Sequence, residues 1–183
     1  SKVVDAEGKP LVVYHGTQLD IEAFDPKLAH DAEGKSLKLG FGKGVIWFSG
    51  EPGGAAAYAV RGDRGKRYQT GAPNLMPTYL AMQKPFVIEY DGENYGRYQA
   101  ARDGFGEWYA RDLGGRENRN RRIETFVRDL KKEGYDGIVM PATKAIDDGV
   151  LRMSSSAGEY GVFRPEQIKS AIGNRGTFDP KNP

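Results

Sequence analysis

The stretch "GVIWFSGEPGGAAAYAVRG", residues 44–62, changes character once, and that change decides how the chain is read. Its opening "GVIWFS" (44–49) is β-branched and aromatic between glycine-rich flanks, the pattern of a strand. A proline then begins "PGGAAAYAVRG" (52–62), where three consecutive alanines favour helix despite the two glycines. The segment therefore predicts strand, tight turn, helix.

Similar strand signals lie on either side. "PLVVYHG" (10–16) predicts a strand ending at His15 and Gly16, and "MPTYLAM" (76–82) with "FVIEY" (86–90) predicts two more around a turn or bulge at "QKP". Strands resume with "DGIVM" (136–140), "GVLRMS" (149–154), "EYGVF" (159–163) and "IKSAIG" (168–173). Between Tyr95 and Gly134 the chain is polar, and 95–113 and 116–134 read as helices. Ile123, Phe126, Val127 and Leu130 make an amphipathic stripe in the second, which stops at Gly134. Strands at both ends with helices grouped between them predict an α+β fold with largely antiparallel pairing.

A chain of 183 residues buries one comfortable core, so a single domain is expected over 1–183, with 1–9 and 174–183 as linker or tail. Charged residues at 28%, hydrophobic ones at 38%, and 25 glycines with 10 prolines fit a soluble protein of short elements and many turns. The formal charge of +2 is too small to draw nucleic acid or an anionic membrane by bulk attraction. The absence of cysteine excludes disulfides, thiolate metal sites and a cysteine nucleophile, which suits a reducing compartment. No apolar run approaches the roughly 20 residues that span a bilayer, and the opening residues lack the order of a secretory signal. They read as a fragment cut from something longer. "FDPK" occurs at 24–27 and 178–181, an echo without a period and so read as chance.

There are two histidines. His30 lies in "KLAHDAEGKS", an ordinary loop composition. His15 ends a buried-type strand just before Gly16, where a backbone can approach a ligand closely; alone, it would equally read as a satisfied core histidine. Glu159 is a carboxylate set into an apolar strand. Trp47 and Tyr58 alone read as core packing. Arg116, Arg119, Arg121 and Arg122 make either a solvated helix face or a contact for an acidic or nucleic-acid partner.

Taken together, "YHGT" (14–17), "GKGVIWFS" (42–49) continuing into "AAAYA" (55–59), and "EYGVF" (159–163) resemble, in order and spacing, the ADP-ribosyltransferases of the His-Tyr-Glu type. That group includes the poly(ADP-ribose) polymerases and the diphtheria-type toxins. The chain looks most like the ADP-ribosyltransferase domain of phage and mobile-element polyvalent proteins, whose ends are similar to "FRPEQIKSAIGNRGTFDP" (163–180).

The resemblance implies an α+β fold of split antiparallel β-sheets with flanking helices, and NAD as donor substrate without a metal. It implies that His15 bonds the adenosine-side ribose, Gly16 holds the nicotinamide carboxamide through its backbone, and Thr17 supports the ribose contact. Trp47, with Phe48 and Ser49 on the same strand, would flank the nicotinamide ribose; Tyr58 would stack on the nicotinamide ring; Glu159 would be the catalytic glutamate. Its chemistry explains a single carboxylate. Cleavage leaves an oxocarbenium-like charge on the sugar, which a fixed carboxylate stabilises, while nicotinamide departs neutral and needs no acid.

Departures narrow the expectation. One extra residue separates glycine from the aromatic in "GKGVIWFS", Trp47 lacks a hydroxyl, and Ala55 stands where many members place a serine. Gly54 replaces the lysine of polymer-forming members, which implies transfer of a single ADP-ribose, and Ala157 replaces the acidic or amide residue of arginine-modifying toxins. The expected function is mono-ADP-ribosylation of a protein or nucleic acid at a cytoplasmic site, as a toxin or phage-delivered effector with a carrier or immunity partner and no membrane. An NAD glycohydrolase, or a silent NAD- or RNA-binding module, is the alternative.

Overall fold

A computed structural model describes residues 1–17, 24, 44–60, 73–88, 125–141 and 158–172, without the side chains of 57, 58 and 60. His30, the helices expected over 95–113 and at the start of 116–134, and the strand expected over 149–154 lie outside the described residues.

The strands are β1 (Val13–Thr17), β2 (Ile46–Ser49), β3 (Asn74–Leu80), β4 (Pro85–Val87), β5 (Gly137–Met140), β6 (Glu159–Val162) and β7 (Ile168–Ser170), and the helix α1 is Pro52–Val60. Among the described residues they form one seven-stranded sheet in the order β4-β5-β6-β2-β1-β3-β7. Every pairing is antiparallel except β4 with β5. That parallel pair needs a long connection, which includes a second helical run over 125–132.

That helix stops where the sequence predicts. Gly134 adopts φ +81°, and the bonds Tyr135 N–H to Leu130 O (3.0 Å) and Gly134 N–H to Lys131 O (3.1 Å) close a Schellman cap. Its stripe packs on one core cluster, where Phe126, Val127 and Leu130 meet Val45, Phe86, Ile88, Ile138, Met140 and Phe163. The second cluster joins Val3, Val13, Ile46, Phe48, Leu80, Met82, Val162 and Ile168. Since Ile46 and Phe48 alternate with Val45 and Trp47 along one strand, β2 feeds both cores.

The "QKP" turn is held from a distance: the Asp136 carboxylate accepts from Gln83 N–H (2.6 Å) and Lys84 N–H (3.0 Å). Gln167 ties the same corner. Its Nε2 donates to Ala81 O (3.0 Å) and Asp136 O (2.8 Å), and its Oε1 accepts from Phe163 N–H and Arg164 N–H.

Residues 1–9 are tied to the sheet. Val3 is 2% exposed within the second cluster, Lys2 N–H donates to Met82 O (2.6 Å), and Ser1 Oγ donates to Leu80 O (2.6 Å). Backbone pairing with the end of β3 and burial of one valine order the segment, although its composition is that of a turn. Among the described residues no helix is long and apolar enough to cross a membrane.

Candidate active site

The sheet is not evenly paired. β1 matches β3 at five positions, Val13–Thr17 against Thr78–Asn74, and β2 matches β6 at four, Ile46–Ser49 against Val162–Glu159. Between β1 and β2 there is one rung, Tyr14 opposite Ser49.

Alternation shows what faces the place where that ladder ends. Pro77 O accepts from Ala171 N–H, so odd positions of β3 bond β7 and even ones bond β1; hence Tyr14 and Gly16 direct their amides and carbonyls toward β2. By the same logic Gly50 N–H bonds Gly158 O on the β6 side, so the Trp47 carbonyl faces β1. In a continued ladder, Gly16 and Trp47 would be partners. Instead His15 Nδ1 lies 2.8 Å from Trp47 O. A carbonyl only accepts, so Nδ1 carries the proton and Nε2 is the acceptor nitrogen of the neutral ring. Burial depresses the His15 pKa, and the bond to Trp47 O offsets this only partly. At neutral pH the opening therefore contains an uncharged imidazole with one fixed tautomer.

Gly16 explains how α1 closes over β1. A Cβ at Gly16 would collide with the backbone carbonyl of Ala55, so glycine is required for the helix to lie this close to the strand. The first turn of α1 also packs on β2, since a Cβ at Gly54 would collide with Ser49 Oγ. Ala55 is buried at 2% exposure, and Ser49 Oγ accepts from Glu51 N–H (3.3 Å). Thus α1 covers the face carrying Gly16 and Ser49.

Glu159 opens β6 opposite Ser49, which is itself opposite Tyr14. The three stand in one row across three strands, a span of about 10 Å at normal ladder spacing. Glu159 is half-buried, and burial alone raises its pKa above the usual carboxylate range. Met140 is its other neighbour, on β5. The carboxylate is thus poised between apolar surroundings and the α1 side of the sheet.

The sequence-predicted residues divide by face. Strand alternation groups Ser49, Trp47 and Glu159 on the α1 side, while His15 goes with Phe48, whose ring centroid is 5.5 Å from the imidazole. The two groups connect through the opening, at the bond from His15 to Trp47 O. Trp47 packs against the first core cluster, within 3.1 Å of the position a Gly161 Cβ would take. Phe48 is 3% exposed in the second cluster. Thr17 is half-buried at the end of β1, opposite Asn74. Tyr58 belongs to α1, its side chain outside the described residues, as is Ala157.

One contact was not legible in the sequence. Phe24 forms a T-shaped pair with His15, ring centroids 5.1 Å apart and 85° between planes, and its centroid lies 5.8 Å from that of Phe48. Its only sequence signal was a lone aromatic in "IEAFDPK". Among the described residues no three histidine or acidic side chains gather as a metal-binding cluster.

Residues 5–178 match the family model described as ADP-ribosyltransferase in polyvalent proteins. A search of curated proteins finds no match to the chain.

Proposed function

Since the chain belongs to the ADP-ribosyltransferase family of polyvalent proteins, we propose that it cleaves NAD between nicotinamide and ribose and transfers one ADP-ribose to a protein or nucleic acid. What supports this reading is the single rung between β1 and β2, with His15 set into the opening beyond it and Glu159 one strand away. The neutral His15 Nε2 is suited to accept a bond from a ribose hydroxyl, and the Gly16 amide, turned toward β2, is suited to a carboxamide oxygen. Trp47 and Tyr58 would flank the nicotinamide end, while Phe48 acts through the His15 ring and Thr17 supports the ribose contact.

In this scheme the bond between the anomeric carbon and the pyridinium nitrogen breaks with its electron pair going to nitrogen, and nicotinamide leaves uncharged. The Glu159 carboxylate stabilises the cationic sugar left behind. As the acceptor attacks the anomeric carbon it loses a proton, and a glutamate made more basic by burial is suited to receive it.

Gly54 supports single transfer. The lysine of polymer-forming relatives is absent there, and a Cβ at this position would have to displace the Ser49 hydroxyl. The setting we propose is a phage or mobile-element effector that acts in the cytoplasm as part of a larger polypeptide.

The test is Glu159→Gln, assayed for nicotinamide release. Loss of at least about 100-fold, the scale of removing one electrostatic stabiliser of a transition state, is expected with an intact circular dichroism spectrum. Near-normal release would refute the assignment. Labelled ADP-ribose should appear in a macromolecular fraction; label found only as free ADP-ribose would make the protein a glycohydrolase, and binding without release a silent module.

A further inference from the structure

The donor-site histidine needs a fixed ring plane as well as a fixed tautomer. The bond to Trp47 O locks Nδ1 but leaves the ring able to rock about that contact. Phe48 lies tilted at 55°, 5.5 Å away, and supports one side. Phe24 returns from beyond the end of β1 and meets the imidazole edge to face, 85° between planes at 5.1 Å, while also touching Phe48. The three rings therefore brace one another. Such aromatic pairs contribute roughly 0.5–1.5 kcal/mol beyond area burial, enough to hold one rotamer.

We propose that Phe24 is a positioning residue for the reaction: by clamping the His15 ring against Phe48 it aims Nε2 into the opening between β1 and β2. This rests on the reading that His15 contacts the donor's ribose. Phe24 touches no reacting atom, so it governs donor binding more than the chemical step. Trp47 O is the polar group shown bonded to His15, and on the face His15 shares, the titratable Tyr160 stands beyond Phe48, opposite it on β6. Water reaching the ring edge is thus what removal of Phe24 changes.

The chain has two histidines, so a His30→Asn background leaves His15 as the one imidazole for nitrogen-15 NMR. In that background Nδ1 should carry the proton, with a pKa below the ordinary histidine value of about 6.5. Phe24→Ala should move the pKa up toward that value and produce a mixture of tautomers. It should raise KM for NAD about tenfold while changing kcat less than about twofold. Phe24→Tyr should restore both readouts, and Phe24→Leu, which keeps most of the volume, should fall between.

An unchanged His15 pKa and tautomer in both Phe24→Ala and Phe24→Leu would overturn the proposal. So would equal losses in kcat and kcat/KM with KM untouched. The NMR readout needs no turnover, so an inactive wild-type protein with the expected titration shifts would defeat the proposed activity and leave the clamp standing.

Discussion

The two edges of β2 behave differently. Toward β6 every residue of the strand has a partner, while toward β1 the pairing stops after Tyr14 and Ser49. On the well-paired edge, position is set by backbone hydrogen bonds and by Trp47 lying across Gly161. On the other edge a side chain takes over: the His15 imidazole bonds the Trp47 carbonyl that the ladder does not use. Where two strands stop pairing, a buried carbonyl still needs a donor, and here a side chain supplies one. That side chain belongs to the residue proposed to touch the ligand.

The comparison breaks first at Gly16. Gly16→Ala places a methyl group into the Ala55 carbonyl, and because both are backbone the strain cannot be relieved by a rotamer change. A loss of about 3 kcal/mol or more in urea unfolding is expected, with NAD binding lost as α1 lifts from β1. Gly161→Ala, on the paired edge, meets Val45 Cγ1 at 2.6 Å and the Trp47 ring at 3.1 Å, both movable side chains. It should cost roughly 1–3 kcal/mol and leave KM for NAD closer to normal. If Gly161→Ala were the more damaging, the opening would not be the sensitive edge.

A control away from both edges is Gln167→Leu. It removes the partners of Ala81 O, Asp136 O, Phe163 N–H and Arg164 N–H at a buried corner, so about 2 kcal/mol should be lost from the unfolding free energy. Because Gln167 is not among the residues proposed to contact the donor, kcat and KM corrected for the folded fraction should change less than in Gly16→Ala.

Smaller effects come from titration, and the two site residues have opposite signs. Glu159 has a raised folded pKa, so the stability it contributes is present below the ordinary glutamate pKa, about 4.3, and is lost as pH rises through the folded value. Glu159→Gln should therefore have a higher Tm than wild type at pH 7, with the gap closing below about pH 4. His15 has a lowered folded pKa, so its contribution is complete above about pH 6.5 and declines as pH falls through the folded value. His15→Gln should flatten that decline, as read from Tm between about pH 7 and pH 5. In the same range KM for NAD should rise on acidification of the wild type, because protonated Nε2 can only donate.

The sequence carried the parts of this molecule that local physics dictates. β-branched and aromatic runs bounded by glycine marked β1, β2, β5 and β6, alanines after proline marked α1, and the amphipathic stripe ended at Gly134 as expected. "YHGT" and "EYGVF" singled out His15 and Glu159, and the family they suggested is the one the chain matches. Each of these signals lies within a short window, where periodicity and turn chemistry operate.

The tertiary structure decided everything that depends on which distant segments meet. Strand order, the single rung between β1 and β2, the burial of Val3 and the return of Phe24 to His15 involve residues separated by nine to more than a hundred positions. Register has no local signature, because a strand's alternation fits more than one neighbour until the whole sheet fixes the choice. Gly16 read from the chain as a place where a ligand approaches the backbone, and its steric role appeared only once α1 lay across β1 and met it with the Ala55 carbonyl. The residue types for the candidate site were written locally; the gap proposed to receive the donor depends on two strands parting after one shared rung.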